Sequence, residues 1–574
     1  RMTELALRCG RQHPHTRVVA LEWSVWSGAG MGERLGAVEA LRRDGITPIS
    51  AEDGIAVLRQ VLADPSAGPL LVVSGRTGTL PTLAVQRRER PLHRFTDRVV
   101  VDVPGVELVA EADLSAGSDP YLDDHLLAGE ALFPAVLGME AMVQAAAAVT
   151  GHDGPPLLED VEFLRPVVVR QGGPTTVRLA ALVRGPGTVE VVLRSEETGF
   201  GADHFRATVR FPRPALSEER PPPAVDLPAV PLDPVTELYG GVLFQGKRFQ
   251  RLLAYRHMSA RRAVAEVATG SSAPWFATFL PQDRLLADPG TRDAVMHALQ
   301  VCVPDATLLP RSVARLHLAV PAEQDTGYVV LDARERSRDG DSHTYDVDVR
   351  DASGGLVERW EGLVLHAVAR RGGAAPWAPA LLGPHLEREL ERVLGVGCAA
   401  VVEPDPPSVG PAAPADRRAQ TGLAASRALG RPVRVRHRPD GRPELDGVAV
   451  SASHGAGLTL VLVGTGRLAC DVETALDRGE QDWADLLGPG MPAVRDLLAS
   501  EAGDSPAVAG TRVWGALECL RKAGTPTRTL VVDRIHPDGW AVLSSGRVRI
   551  ATWAATVDGR PDPVVFAVLC GEER

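Results

Sequence analysis

Two widely separated groups of side chains in this 574-residue chain could act together as a base and an acid. His125 lies in the run His125-Leu-Leu-Ala-Gly129-Glu-Ala-Leu-Phe-Pro134, and Asp293 and His297 lie far downstream in Asp293-Ala-Val-Met-His297. Elimination of water from a β-hydroxyacyl thioester needs such a pair, because one group removes the α-proton while another protonates the departing hydroxyl. Neither role requires a metal or a redox cofactor.

Each group also has a structural interpretation. A lone histidine beside a glycine and a proline is often a hydrogen-bonded residue of a turn. Asp293 and His297 are four residues apart and share one face of a helix, where they could form an ordinary solvated pair. Pro289 and Gly290 precede them and are typical of a helix start.

The spacing His-x3-Gly-x4-Pro resembles a motif of the dehydratase domains of polyketide and fatty acid synthases, and Asp-x3-His resembles their second active-site motif, which lies on a long helix. Between them, the segment from Tyr239 to Gln250 resembles the glycine- and aromatic-rich motif that opens the second half of such dehydratases, although Lys247 stands where the family often has proline. The resemblance implies a double hotdog fold in which His125 and Asp293 meet in a tunnel and His297 orients Asp293.

A second group of candidate residues lies near the C-terminus. Asp471 and Glu473 are two residues apart, so on a strand their side chains point the same way. Trp514, Glu518 and Lys522 recur every four residues and therefore share one face of a helix. The three carboxylates form an oxygen-ligand set of the kind that Mg²⁺ takes together with phosphate oxygens and water. A lone Asp-x-Glu is more often part of an ordinary surface strand.

The order of neighbouring motifs favours the metal interpretation. It resembles that of 4′-phosphopantetheinyl transferases, which prime polyketide and nonribosomal peptide synthases; the motifs are Gly441-Arg442-Pro443, Ser451-Ala-Ser453-His454, Asp471-x-Glu473 and Trp514-x3-Glu518-x3-Lys522. The resemblance implies that Mg²⁺ is held on the pyrophosphate of coenzyme A by Asp471, Glu473 and Glu518. It also implies that Glu518 helps to deprotonate the carrier-protein serine, directly or through water. The residues expected to bind coenzyme A are His454, Lys522, Arg442 and Arg521. Lys522 is also an expected catalytic residue, together with Glu518.

The chain departs from the transferase pattern at two positions. Ala469 stands where the family usually has glycine, which is a small steric change, and Leu517 stands where it usually has lysine. Positions 517 and 521 are neighbours on one helix face, so Arg521 could supply the missing charge to a phosphate. In the alternative interpretation Leu517 fills a gap in the core.

Seven arginines between Arg417 and Arg438 form a local basic strip. This strip could bind phosphates or an acidic carrier protein, or it could be a solvated face.

Composition excludes several classes of function. The six cysteines have neither metal-ligand nor disulfide-like spacing, which suits a reducing cytoplasm. We find no apolar run long enough to span a bilayer and no signal-peptide pattern. The formal net charge of -11 argues against general affinity for nucleic acid. We therefore expect a cytoplasmic protein that binds neither nucleic acid nor membrane.

The chain is long enough for three or four domains. Residues 1–90 resemble the closing part of a polyketide synthase ketoreductase without its dinucleotide fingerprint or catalytic pair, so we expect no reduction by them; a small α/β docking domain is the alternative. Residues 91–370 are the predicted dehydratase, with halves at about 91–215 and 235–370. A proline-rich connector that includes Pro221–Pro223 separates the halves. A linker from Arg370 to Pro379 precedes the predicted transferase at 371–574.

The predicted fold class is therefore α+β multidomain: a ketoreductase fragment, a double hotdog, and a pseudo-twofold α/β transferase. This order resembles the C-terminal portion of enediyne polyketide synthases, which activate their own carrier domain. The expected partners are an acyl carrier protein domain, an acyl thioester substrate and, by analogy of fold, a second copy of the chain. The alternatives are part of a polyunsaturated fatty acid synthase-like system, or a noncatalytic dimerising scaffold.

Overall fold

The computed structural model describes residues 2–65, 68–76, 92–152, 154–213, 226–270, 273–319, 327–371, 375–406, 414–525 and 529–571. Most of the predicted connector with Pro221–Pro223, and residues 372–374 of the second linker, lie outside the described residues. The chain divides into two compact units, Arg1–Glu89 and Arg90–Arg574.

The first unit is a small α/β arrangement. Its strands form two parallel pairs, β1 with β4 and β2 with β3. Ser50 accepts a hydrogen bond from the amide of Asp53 and so caps the longest helix. Its elements are α1 (Met2–Gln12), β1 (Ala20–Trp23), β2 (Trp26–Ser27), α2 (Met31–Arg34), α3 (Val38–Arg43), β3 (Ile49–Ser50), α4 (Ala51–Ala63) and β4 (Leu70–Val73).

The second unit begins with an antiparallel sheet that surrounds one buried helix. That helix, α5, is apolar on nearly every side, so it must be covered all round. Gly138 allows the Phe205 ring to lie against it, since a Cβ there would sit 2.4 Å from the ring. The elements are β5 (Arg98–Val103), β6 (Glu107–Leu114), β7 (Leu126–Leu127), β8 (Glu130–Leu132), α5 (Ala135–Thr150), β9 (Leu157–Phe163), β10 (Val168–Val169), β11 (Thr175–Gly185), β12 (Thr188–Ser195) and β13 (Asp203–Arg210).

A second set of strands repeats this plan around a shorter helix, α6. Pro289 and the N-cap Asp288, which accepts from the amide of Thr291, start α6 as the sequence predicts. The elements are β14 (Leu252–Met258), β15 (Arg262–Ala268), α6 (Pro289–His297), β16 (Ala306–Leu318), β17 (Tyr328–Asp339), β18 (Ser342–Asp351) and β19 (Leu356–Arg370), and a 3-10 turn, Ala298–Cys302, follows α6.

The two sets of strands join into one 12-stranded antiparallel sheet in the order β14-β15-β17-β18-β19-β16-β9-β13-β12-β11-β6-β5. Strands β9 and β16 form the seam, with Val161 opposite Val313. Helices α5 and α6 pack against each other across this seam. A helix wrapped by sheet, present twice, is the predicted double hotdog arrangement.

The last part of the chain contains a three-stranded and a five-stranded antiparallel sheet, ordered β20-β24-β23 and β25-β29-β28-β27-β26, with helices α8 and α11 against them. The elements are α7 (Pro379–Leu394), β20 (Ala399–Pro404), α8 (Pro414–Leu429), β21 (Arg436–His437), β22 (Pro443–Glu444), β23 (Ala449–Gly455), β24 (Leu458–Gly464), β25 (Arg467–Thr474), α9 (Glu480–Leu487), α10 (Met491–Ala502), α11 (Pro506–Lys522), β26 (Leu530–Ile535), β27 (Ala541–Ser545), β28 (Val548–Ala555) and β29 (Val564–Gly571).

Packing is continuous across the predicted boundary at residue 370. Helix α7 joins the two parts, because its buried Arg388 donates to the carbonyl oxygens of Cys302 (2.7 Å) and Ala260 and to the carboxylate of Glu335 (2.5 Å). The apolar core also runs through both parts, from α5 to Trp377 and Trp553. The predicted dehydratase and transferase regions are therefore held in one compact unit.

Arg388→Ala should lower the free energy of unfolding by about 3 kcal/mol, because removing one partner of a buried ion pair leaves the other buried without compensation. Arg388 and Glu335 are 8% and 6% exposed. Urea unfolding of the full chain measures the change. Arg334→Ala is the control, since Arg334 is 57% exposed in its pair with Asp332 and should cost under about 1 kcal/mol. Equal losses in the two variants would contradict this account of α7.

Among the residues described, no helix combines the length and the apolarity needed to cross a lipid bilayer.

Candidate functional site

His125 is held in one orientation and one tautomer. It follows a short 3-10 turn, Pro120–Asp124, and its Nδ1 lies 2.8 Å from the carbonyl oxygen of Leu132. A carbonyl oxygen can only accept, so Nδ1 carries the hydrogen and Nε2 keeps a lone pair. The rings of Phe244 and Phe249 lie 5.0 and 5.3 Å away and fix the imidazole further.

The environment of His125 favours the neutral imidazole. Burial lowers its pKa below the ordinary value, and the charge of Asp293 opposes this only in part. A neutral histidine with a free Nε2 can accept a proton near neutral pH.

Asp293 and His297 lie on α6 as a hydrogen-bonded pair, with His297 Nδ1 3.0 Å from Asp293 Oδ2. The other ring nitrogen, Nε2, is 3.0 Å from the hydroxyl of Tyr239. Burial raises the pKa of Tyr239, so its hydroxyl stays protonated and donates to Nε2, while His297 Nδ1 donates to the aspartate. The backbone amide of Leu252 donates to the same hydroxyl at 3.2 Å. Tyr239, His297 and Asp293 therefore form a directed chain of hydrogen bonds.

The structure brings the candidate base and acid to one cavity. His125 and Asp293, together with His297, line an enclosed space of about 40 Å³. His125, Ala135, Leu309 and Pro310 also line a neighbouring cavity of about 590 Å³ whose wall is largely apolar and aromatic, including Phe163 and Phe205. An extended acyl chain could occupy the larger space with its reacting carbons near His125.

The two halves meet beside His125 through a very close backbone approach. Gln245 forms a β-bridge with His125, and the amide of Gly246 donates to the carbonyl of Asp124 at 2.7 Å. A Cβ at position 246 would lie 2.7 Å from the Asp124 Cα, so only glycine fits there. The segment between Tyr239 and Gln250, noted in the sequence, thus supplies both a positioning hydroxyl and the contact between the halves.

The C-terminal candidates form a second polar cluster, around Lys522 on α11. Lys522 Nζ donates to Asp471 Oδ1 (2.8 Å), to Ser453 Oγ (3.1 Å) and to the carbonyl of Cys470 (2.7 Å). Ser453 in turn donates to Asp471 Oδ1 at 2.9 Å. Burial would lower the pKa of Lys522, but the neighbouring Cys470 and Asp471 outweigh burial and raise it, so the ammonium is retained. The sequence analysis placed Ser453 in a motif but assigned it no role in the site.

The carboxylates fit a metal ion in part. Asp471 Oδ2 is buried and has no hydrogen-bond partner among the described residues, and the pKa of Glu473 is raised by burial and then by the nearby charge of Asp471. Glu518, however, is paired with Arg521. Within the described part of the chain, no group of three or more histidine, cysteine or acidic side chains is placed to hold a metal. Asp471 and Glu473 thus fit as oxygen ligands, whereas Glu518 is engaged elsewhere.

The predicted coenzyme A residues are brought together only in part. Arg442, Arg521 and Lys522 line one cavity of about 630 Å³, together with Arg438. His454 lies outside that lining, because its Nε2 contacts Thr421 (3.1 Å) and its Nδ1 contacts Thr459 (2.8 Å).

Leu517 packs against the core cluster beneath α11, as its structural alternative expects.

The predicted arginine strip is divided between the interior and the surface. Arg427 is buried and paired with Glu403, whereas Arg436 and Arg438 are exposed in pairs with Asp446 and Glu444. Arg427 therefore lies in the interior and cannot be part of a solvated basic surface.

Two family models match the part of the chain that contains the first site. The model described as polyketide synthase dehydratase domain matches residues 93–196, and the model described as polyketide synthase dehydratase N-terminal domain matches residues 217–375. His125 lies in the first range, and Asp293 and His297 lie in the second.

Similar proteins include one chain of the polyunsaturated fatty acid synthase of Thraustochytrium sp., which is 23% identical over 54% of this chain and 11% of that protein. A phenolphthiocerol synthesis polyketide synthase of Mycobacterium bovis is 26% identical over 40% of this chain and 12% of that protein. The chain thus spans only about a tenth of the length of these relatives.

Among solved structures, GphF dehydratase 1 is 22% identical, with a TM-score of 0.38, over 49% of this chain and 100% of that chain. The dehydratase domain from the CurF module of curacin polyketide synthase is 16% identical, with a TM-score of 0.37, over 48% and 100%.

The two sheet-wrapped helices form a hotdog-type fold, and His125 and Asp293 line one cavity within it. Residues 93–196 and 217–375 of this part of the chain therefore match polyketide synthase dehydratase domains.

Proposed function

We propose that this region removes water from β-hydroxyacyl thioesters carried by an acyl carrier protein. The observation that carries the proposal is the placement of His125, with its free Nε2, and Asp293 on the wall of one cavity. Incubating the full chain with a β-hydroxyacyl carrier protein and measuring the intact mass tests it, because dehydration lowers the mass by one water.

The proposed reaction is a simple elimination. His125 Nε2 takes the proton from the α-carbon, electrons form the α,β double bond, and the β-hydroxyl leaves as water with the proton carried by the carboxylic acid form of Asp293. The proton held by His125 then returns to the Asp293 carboxylate. His297 orients the aspartate through its Nδ1–H, and Tyr239 fixes the tautomer of His297. Repeated over several extension cycles, the same reaction would give a conjugated polyene.

The pH dependence of the reaction should report the lowered pKa of His125. A base must be unprotonated, so kcat/KM should fall as the pH drops through the pKa of His125. Because burial lowers that pKa, we expect the acidic limb below about pH 6.5, the ordinary value for histidine. A stopped assay from pH 4.5 to 8 on the full chain measures the limb. An acidic limb above that value would contradict a buried neutral base.

We further propose that residues 371–574 transfer 4′-phosphopantetheine from coenzyme A to a serine of the carrier domain. The proposal is supported by the order of the sequence motifs and by the cavity of about 630 Å³ where Arg442, Arg521 and Lys522 meet. Its cations would bind the phosphates of coenzyme A. Mg²⁺, held by Asp471, Glu473 and Glu518, would neutralise the pyrophosphate charge.

Glu518 can join such a ligand set only if its ion pair with Arg521 breaks. Arg521 would then contact a phosphate instead. Glu518 could afterwards also help to deprotonate the attacking serine. Detection of a phosphopantetheine mass increase on an apo carrier domain, with coenzyme A and Mg²⁺ present, tests this activity.

We propose, from the resemblance in the order of the domains, that the chain is part of an enediyne-type polyketide synthase in the cytoplasm and that residues 1–90 are the end of a ketoreductase. The similarity to a polyunsaturated fatty acid synthase supports the alternative system. The length of the polyene released by the complete synthase distinguishes the two.

A further inference from the structure

A buried carboxylate outside the proposed mechanism links the two halves of the dehydratase. Glu140, on α5, is 1% exposed. Its Oε1 accepts from the backbone amide of Leu285 at 2.8 Å, and its Oε2 accepts from the amide of Leu286 at 2.8 Å. Gln144, one turn further along α5, donates to Oε1 at 2.8 Å and accepts from the amide of Phe95 at 3.0 Å. Glu140 thus binds the second half of the domain while it belongs to the first.

The segment that Glu140 binds leads directly into the helix of Asp293. After Leu285 and Leu286 the chain passes through Ala287, whose φ of 61° is unusual for a residue with a side chain, and reaches the N-cap of α6 at Asp288. Such a backbone conformation persists only when surrounding contacts impose it. The Glu140 bonds supply two of those contacts.

The same helix, α5, also fixes the position of His125. It starts at Ala135, which lines both cavities beside His125, and Leu132, just before it, accepts the His125 Nδ1–H. Helix α5 therefore fixes the positions of both candidate catalytic groups. His125 is placed at the N-terminal end of the helix, and Asp293 is placed through Glu140 about one and a half turns along it.

We propose that Glu140 is a positioning residue that sets the separation between His125 and Asp293. Burying a carboxylate is costly, and a packed apolar side chain would be less so. The two oxygens of Glu140, however, each accept from one of two successive backbone amides, and these bonds fix where α6 begins. The catalytic consequence of this proposal rests on the proposed dehydration. The anchoring of Leu285 and Leu286 by Glu140 rests on geometry alone.

Glu140→Gln is the test variant because it keeps the size and shape of the side chain. An amide offers one accepting oxygen, so one of the two backbone amides must face an NH2 donor and lose its bond. Hydrogen exchange followed by mass spectrometry on the full chain should be faster, by about tenfold or more, in peptides that cover residues 284–297. A displacement of roughly 1 Å can cost on the order of 10²-fold in rate. We therefore expect kcat for dehydration to fall by about that factor, with KM changed less than about twofold.

Glu403→Gln is the matched control, because Glu403 is also a buried carboxylate but lies on β20 and pairs with Arg427 of α8. It should leave both the exchange of residues 284–297 and the dehydration kcat unchanged. Unchanged exchange in Glu140→Gln would overturn the anchoring, and faster exchange with unchanged kcat would overturn the positioning role. If the wild-type chain released no water, the proposed function would fail, while exchange would still decide the anchoring.

Discussion

Replacing His125 by alanine should abolish dehydration and leave phosphopantetheine transfer intact. The variant removes the free Nε2, which has no substitute on the wall of the cavity except the carboxylate and imidazole of α6, already bonded to each other. Loss of a positioned acid or base costs on the order of 10² to 10⁴ in rate. Dehydration of a β-hydroxyacyl carrier protein, followed by intact mass, measures the loss.

Asp293→Asn should cause a loss of the same order, because an amide cannot give a proton to the departing hydroxyl. His317→Ala is a suitable control, since His317 lies on β16, contacts Glu361 and does not line either cavity beside His125. Wild-type dehydration by His125→Ala or Asp293→Asn, or an equal loss in His317→Ala, would contradict the assignment.

Replacing Lys522 by alanine should reduce phosphopantetheine transfer by about 10²-fold or more without affecting dehydration. The ammonium is the group that joins Asp471, Ser453 and the cavity lined by Arg442 and Arg521. Its removal leaves the buried Asp471 carboxylate uncompensated and takes a cation away from the phosphates. Lys247→Ala is a matched control, because Lys247 is the only other lysine of the chain and lies in the dehydratase.

Metal dependence of transfer follows from the same cluster. Chelation with EDTA should stop transfer, added Mg²⁺ should restore it, and Asp471→Ala should resemble chelation, because the orphan Oδ2 of Asp471 then disappears. Dehydration should be indifferent to EDTA. Full transfer by the chelated enzyme, or by Lys522→Ala, would contradict the proposed transferase site.

The reacting groups of the dehydratase could be predicted from the sequence because their spacing is regular. His125, Asp293 and His297 stand in short motifs, and a four-residue interval on a helix already places Asp293 beside His297. The tautomer of His125 could not be predicted, since it depends on the carbonyl of Leu132 across a hairpin. Tyr239 reaches His297 over 58 residues of sequence within the second half, and Glu140 reaches Leu285 over 145 residues between the halves; no local pattern reveals such contacts.

The C-terminal region was less predictable for a different physical reason. The sequence shows which residues are charged but does not tell which of them neutralise one another. Lys522 was expected to contact a phosphate and lies against Asp471, and Glu518 was expected at a metal and lies against Arg521. Likewise, the linker from Arg370 to Pro379 suggested a separate domain, whereas buried contacts of Arg388 join α7 to the preceding part of the chain.

The most direct test of the central claim is the mass of a β-hydroxyacyl carrier protein after incubation with the full chain and with its Asp293→Asn variant. We predict loss of one water with the wild-type chain and a rate lower by about 10² to 10⁴ with the variant. The acyl group that remains on the carrier protein should be an α,β-unsaturated thioester. An unchanged mass with the wild-type chain, or equal rates for both proteins, would contradict the account.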